Sequence, residues 1–291
     1  MDTLHLNPDK YRLVKALRPF SYSVALVTCG LGIALAYSHG LGDGVRSVLV
    51  LVAGVLLQAA SNLANDHADI SLWRKRSGEL SQQVIQQIKR NFLLACLLVL
   101  VACMIGLWLV MQVGWSLLLL GIFGVLGGYS YTGEPMNYKQ RGWGVPAVFL
   151  FTGILMVSGS YFAVSGQWNS QIIWISIPVS VLASALLMAN ETRDYLDDLS
   201  CNIRTLTVRI GFEKAKVLYA ILLIMVYPLS FYFFLDGGIK NISFLLPSLV
   251  FVWQPIRLLS HGPGDSQMIR LPPLTGRFFM VFGCGFIFSV L

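Results

Sequence analysis

Residues 91–111 read NFLLACLLVLVACMIGLWLVM, 21 positions without a charge. A helix needs roughly 20 mostly apolar residues to cross the hydrocarbon core of a bilayer, so this stretch predicts a membrane-spanning helix. Comparable runs lie at about 20–38, 45–64, 113–131, 144–165, 171–190, 216–235, 242–260 and 277–291, which makes nine. Periodicity cannot refine these assignments, because a helix that is apolar all round reads as a span whichever face meets its neighbours. The boundaries come instead from Gly, Pro and polar punctuation: Gly40 to Gly44, Gly166 to Ser170, Asp236 to Asn241, and His261 to Thr275 with Pro272 and Pro273. The last run is the shortest, about 15 residues.

Composition agrees with this reading. Of 291 residues 56% are hydrophobic and 12% charged, and the mean hydropathy is +0.69, values outside those of soluble domains. The expected fold is therefore all-α, an integral membrane bundle of about nine transmembrane helices in a lipid bilayer. Lys and Arg accumulate on the cytoplasmic side of short loops. Here all of the 21 except Arg46 and Lys240 fall on one side of the nine-span arrangement, Lys75 and Arg76 among them. Residues 1–18 are then a cytoplasmic N-terminal segment and the C-terminus is outside. The net charge of +7 reads as topology plus affinity for anionic headgroups or phosphates, and no nucleic-acid partner is expected. The five Cys contain no CxxC, and His5, His39, His67 and His261 lack metal-ligand spacing, so neither a disulfide nor a zinc site is expected.

Carboxylates are costly near a bilayer, so the placement of the 14 Asp and Glu is informative. Six of them form two patches at ends of apolar runs on the same side: Asn62-Leu-Ala-Asn65-Asp66-His67-Ala-Asp69, and Asn190-Glu191-Thr192-Arg193-Asp194-Tyr195-Leu196-Asp197-Asp198. On a helix Asn190, Asp194 and Asp198 stand at i, i+4 and i+8, on one face, and Asn65 and Asp69 repeat the i, i+4 pair. Asn62 and Asp66 form a second, overlapping pair. Bringing such helix ends together concentrates carboxylates that repel unless cations neutralise them. Mg²⁺ suits the role, since it takes a few carboxylates and leaves positions for phosphate oxygens. The flanking Arg74 to Arg76 and Arg204 to Arg209 are placed to grip a diphosphate directly. A third element, Tyr129-Ser130-Tyr131-Thr132-Gly133-Glu134-Pro135, leads into Lys139 and Arg141 on the same side. Aromatic faces can stabilise a developing carbocation.

At these residues the chain resembles the UbiA superfamily of intramembrane prenyltransferases, and within it the 1,4-dihydroxy-2-naphthoate prenyltransferase branch. The family pattern is NxxxDxxxD near the ends of the second and sixth helices. The second copy is intact as Asn190, Asp194 and Asp198, and the segment from Asn202 through Arg204, Thr205 and Arg209 to Gly211 is also similar. The first copy matches at Asn65 and Asp69 but has Trp73 in the third position. That departure reads either as compensation by Asp66 or Asn62, or as a changed metal affinity or donor preference, and Trp73→Asp is expected to be tolerated.

The resemblance implies a single domain over 1–291, a nine-helix bundle around a central cavity that opens to the cytoplasm and to lipid, in a bacterial cytoplasmic membrane. It implies Mg²⁺ as cofactor, held by Asp69, Asp194 and Asp198 with Asn65 and Asn190. Tyr131 joins the three aspartates as a catalytic residue. Asn62, Asn65, Asp66, Asn190, Arg74, Lys139, Arg141 and Arg204 are the expected substrate contacts. The expected substrates are a polyprenyl diphosphate and an aromatic acceptor, and the chemistry is ionisation to an allylic cation followed by attack of a ring carbon. A terpene cyclase without an acceptor is the alternative enzyme reading. A small transporter is a further alternative, but it would place its ionisable groups near the midplane on broken helices, not at helix ends.

Overall fold

A computed structural model describes residues 8–74, 76 and 78–291; Lys75, His5 and the rest of the first seven residues lie outside that range. The long helices are α1 (Tyr22–Ser38), α2 (Gly44–His67), α3 (Glu79–Val113), α4 (Trp115–Ser130), α5 (Gly144–Ser165), α6 (Ile177–Arg193), α7 (Phe212–Leu235), α8 (Ser248–Arg257) and α9 (Leu271–Val290). Among the described residues there is no strand, and seven helical stretches are long and apolar enough to cross a membrane. The chain is an all-α integral membrane protein.

The expected count of nine is not reached by length and composition, and the two shortfalls have local causes. Gly114, at φ 114°, ends the 35-residue α3 and leaves α4 with 16 residues, about 24 Å at the usual rise against a core of about 30 Å. The run at 171–190 is interrupted at Ser176, which separates Gln171–Ile175 from the 17-residue α6. The last helix is longer than expected. Pro272 and Pro273, read above as breakers, occupy its first turn, where the missing N–H groups would have no intrahelical partner anyway.

The bundle closes through small residues. Gly32 of α1 lies against the Val157 carbonyl and Ser160 of α5, and Gly153 of α5 against Ser180 of α6, close approaches that a side chain would prevent. Phe278, Phe279, Phe282 and Phe286 of α9 are fully buried with Leu182 of α6 and Tyr219 and Leu223 of α7. By contrast α3 and α4 leave Leu93, Met111, Trp115 and Leu119 exposed, as a surface facing hydrocarbon can, since lipid tails exert no hydrophobic penalty.

The bundle has two chemically different ends. At one, Asp43 caps the start of α2 and pairs with Arg46 at 3.2 Å, and the Lys240 amide donates to the Ser289 carbonyl at 2.8 Å. At the other end α2, α6 and the start of α7 gather the acidic patches. Cysteines placed at Lys240 and at Arg204 should therefore label from opposite sides of sealed vesicles; labelling from one side would overturn this arrangement.

Candidate active site

The first acidic patch is held by the segment that precedes α1. Asn62 is buried and donates to the Leu17 carbonyl at 2.8 Å and to Ser21 Oγ at 2.7 Å, so it fastens α2 to that segment. Asp66 is 1% exposed and accepts from Arg18 at 2.6 Å. Arg18 itself has left-handed backbone (φ 47°, ψ 68°) immediately before Pro19, a conformation that costs energy for a non-glycine residue and clusters at functional sites. Asp69 accepts from Lys10 Nζ at 2.8 Å and from the Tyr11 hydroxyl at 3.0 Å, on the same oxygen. Burial first, and then the neighbouring Asp69 carboxylate, push the Tyr11 phenol far above its ordinary value, so it remains a donor.

Trp73 corrects an expectation. It is 1% exposed and packs edge-to-face on Tyr11 at 6.0 Å, with Ile70, Val84 and Ile88 around it. The third position of the first motif is thus a core residue, and an aspartate there would bury an unpaired charge, at a cost of several kcal/mol. Trp73→Asp is expected to destabilise, not to be tolerated.

The second patch keeps its spacing although the helix is interrupted. Asp194 ends α6 with φ −89° and ψ 8°, and a short helix Tyr195–Ser200 follows. The i→i−4 bonds from Asp194 to Asn190 (3.0 Å) and from Asp198 to Asp194 (2.8 Å) persist, so the three residues still succeed one another turn by turn. Asn190 donates to the Leu186 carbonyl at 3.0 Å. Arg193 grips Asp194 with two bonds of 2.7 Å. Burial opposes ionisation of Asp194, but Arg193, Lys10 and Arg18 outweigh it and hold the carboxyl down at about 2. Asp198 is 8% exposed and has only Thr205 Oγ1, at 3.3 Å, as a side-chain donor. Burial, incompletely offset by Lys139 and reinforced by Asp194 and Glu191, raises it to about 7.

The third element closes over this end. The Lys139 amide donates to the Tyr131 carbonyl at 2.9 Å, Arg141 turns back to the Pro135 carbonyl at 2.6 Å, and Arg209 bonds the carbonyls of Gln140 (3.0 Å) and Arg204 (2.9 Å). Arg209 therefore clasps the loop after α4 to the loop after α6. Burial, then the Glu191 carboxylate, raises the Tyr131 phenol, while Arg18 acts in the other direction. Asp66, Asp69, Asp194, Asp198, Tyr131 and Lys139 thus share one end of the bundle, within electrostatic reach of Lys10 or Arg18 or of one another. Arg74 is exposed on the turn after Trp73, and Arg141 is committed to its own loop. Among the described residues no three His, Cys, Asp or Glu side chains converge closely enough to hold a metal by themselves. Asp66, Asp69 and Asp194 instead pair with Arg18, Lys10 and Arg193.

Lys10, Tyr11, Arg18 and Glu191 are the site neighbours that sequence reasoning did not single out. Basic residues before an apolar run are what topology alone would produce, so nothing in the sequence distinguished Lys10 and Arg18. Glu191 is 5% exposed; its Oε2 accepts from the Thr207 amide at 3.1 Å and its Oε1 has no partner.

Residues 25–282 match the UbiA prenyltransferase family. The chain belongs to that family. It is accordingly a prenyltransferase. A 1,4-dihydroxy-2-naphthoate octaprenyltransferase of Haemophilus influenzae is 30% identical over 223 residues, covering 71% of each chain. The UbiA prenyltransferase domain-containing protein 1 of Dictyostelium discoideum is 26% identical over 282 residues, 93% of this chain and 84% of that protein. In fold, the chain is similar to a UbiA homolog from Archaeoglobus fulgidus solved with DMAPP and Mg²⁺, at a TM-score of 0.64 and 18% identity over 96% of this chain and 99% of that one.

Proposed function

We propose that this enzyme transfers a prenyl group from a polyprenyl diphosphate to an aromatic acceptor, with 1,4-dihydroxy-2-naphthoate as the first acceptor to test, and that it depends on Mg²⁺. The whole chain acts as one domain, with the acidic end in the cytoplasm, where most of its Lys and Arg lie. The observation that carries the reading is the recurrence of the Asn/Asp pair on α2 and α6 at one end, with buried amide oxygens left without partners: Asn65 Oδ1 and Asn190 Oδ1. Orphaned buried oxygens are rare and call for an explanation, and hard oxygen donors beside carboxylates suit Mg²⁺. Asp69, Asp194 and Asp198 with those two asparagines would hold it. When bound, the ion would act as a Lewis acid on the leaving diphosphate.

The chain's own residues do the rest. Lys139 and Arg204 lie beside the second motif on the loops that Arg209 joins, and they add positive charge where the departing diphosphate accumulates negative charge. Tyr131 would offer its aromatic ring to the developing allylic cation. The acceptor's ring carbon then forms the new bond, with loss of a proton or of carboxyl as CO₂.

Incubating membranes with Mg²⁺, a panel of prenyl diphosphates and candidate acceptors, with products identified by mass spectrometry, tests this. Products from the diphosphate alone would overturn the transferase reading in favour of cyclisation. The site also predicts a pH dependence. Asp198, raised to about 7, keeps its proton to higher pH than an ordinary carboxyl, and a metal ligand must give that proton up. The half-saturating Mg²⁺ concentration should thus fall as pH rises toward 7 and level off above it, by up to about tenfold per unit on the acid side. A pH-independent value between 6 and 8 would remove Asp198 from the metal site.

A further inference from the structure

The first motif lacks its second carboxylate, and the structure shows what stands near the gap. Trp73 fills the core against Tyr11, and Tyr11 is adjacent to Lys10, whose ammonium lies 2.8 Å from Asp69. The backbone here is anchored: Asn91 of α3 donates to the Tyr11 carbonyl at 2.9 Å, and the Tyr11 hydroxyl donates to Asp69 at 3.0 Å. Lys10 is therefore presented by a fixed turn and is not a free surface lysine, although its side chain is 45% exposed. Its charge also acts on Asp66 and on Asp194 of the second motif. Its ammonium is fixed beside Asp69, at the end of the bundle where a multiply charged anion would meet the acidic patches.

We propose that Lys10 is a diphosphate-binding residue: its ammonium, paired with Asp69 in this structure, passes to a phosphate oxygen when the diphosphate arrives. This rests on the prenyl-diphosphate reading above and adds a residue to it. The chemistry follows from the charge balance at the first motif. Asp66 Oδ1 is paired with Arg18 at 2.6 Å while its Oδ2 is buried without a hydrogen-bond partner, and Asp69 is the carboxylate of that motif that Lys10 meets. A divalent ion bound through a single carboxylate is weakly held, whereas an ammonium needs only one and keeps two further N–H donors for phosphate oxygens. Lys10 thus supplies, from the chain itself, positive charge that an intact motif would recruit as metal. No bond is made or broken in the exchange; Asp69 trades the ammonium for Mg²⁺ and the ammonium trades Asp69 for phosphate.

The test uses the full chain in detergent free of anionic lipid, with inorganic pyrophosphate plus Mg²⁺ followed by calorimetry, and Mn²⁺ alone followed by electron paramagnetic resonance. Lys10→Met should weaken pyrophosphate binding about ten- to a hundredfold, the loss expected for one charge-assisted hydrogen bond, while Mn²⁺ binds as well as to wild type or better, because the competing ammonium has left Asp69. Lys10→Arg should recover most of the affinity. Lys15→Met removes the same charge from a residue that pairs with Asp9 at 3.5 Å and should leave pyrophosphate affinity unchanged. Equal pyrophosphate affinity in Lys10→Met and wild type, or an equal loss in Lys15→Met, would overturn the role of Lys10 while leaving the proposed function standing. Wild type that binds neither Mn²⁺ nor pyrophosphate would overturn the proposed function itself.

Discussion

Asp198→Asn and Asp194→Asn are each expected to lower turnover by at least about 10² to 10³ while the protein remains folded and membrane-inserted. The size follows from the step they serve. Charge develops on the leaving diphosphate, and groups that concentrate cations there act in the transition state more than in the ground state. The retention of fold follows from their surroundings. Asp194 is 39% exposed in its side chain and its ion pair is with the adjacent Arg193, so its loss weakens a local pair without untying distant segments and should lower stability modestly. Asp198 makes a single long hydrogen bond to Thr205, at 3.3 Å. Its folded-state value of about 7 lies above the ordinary 3.8, so folding takes up a proton between those values and its contribution grows less favourable as pH rises through that window. The neutral Asp198→Asn protein should therefore melt no lower than wild type at pH 8, even though its turnover is lost. A rate near wild type, or a large fall in melting temperature, would show that these carboxylates serve packing instead of catalysis.

At the first motif Asp69→Asn and Asp66→Asn should fail in different ways. Asp69 is bonded to Lys10 and Tyr11. An amide can still accept from Tyr11, so Asp69→Asn should leave the fold intact and cost about 10² to 10³ in rate, with a raised Mg²⁺ requirement. Asp66 is buried against Arg18, whose side chain is 20% exposed. Removing one partner of such a pair strands the other, at about 3–5 kcal/mol, so Asp66→Asn should lower stability first and activity through it. Trp73→Asp should be the least stable of the three, since it removes a core indole, typically about 3–5 kcal/mol, and adds a buried charge. Thermal melting alongside rates over a Mg²⁺ series decides this. An Asp69→Asn enzyme with wild-type rate and Mg²⁺ dependence would place the first metal ligand elsewhere.

The fold class was legible in the residue string, and so were the two acidic patches that the structure gathers at one end. Nine apolar runs, basic residues gathered on one side and two Asn/Asp patches at run ends are all local features, and bilayer thickness and desolvation cost act on local sequence. Family membership followed from the same residues. Three things were decided only by tertiary structure. The status of two runs as spans depended on Gly114 and Ser176, where backbone breaks take residues from one helix or divide another. The roles within the first motif depended on partners far along the chain: Asp66 and Asp69 have the same spacing logic in sequence, yet one meets Arg18 and the other Lys10 and Tyr11. The meaning of Trp73 depended on a core formed with Tyr11 and Ile88. Helical periodicity states which side chains share a face, but it carries no information about which distant segment covers that face, and it is the covering segment that pairs one carboxylate with Arg18 and its neighbour with Lys10 and Tyr11.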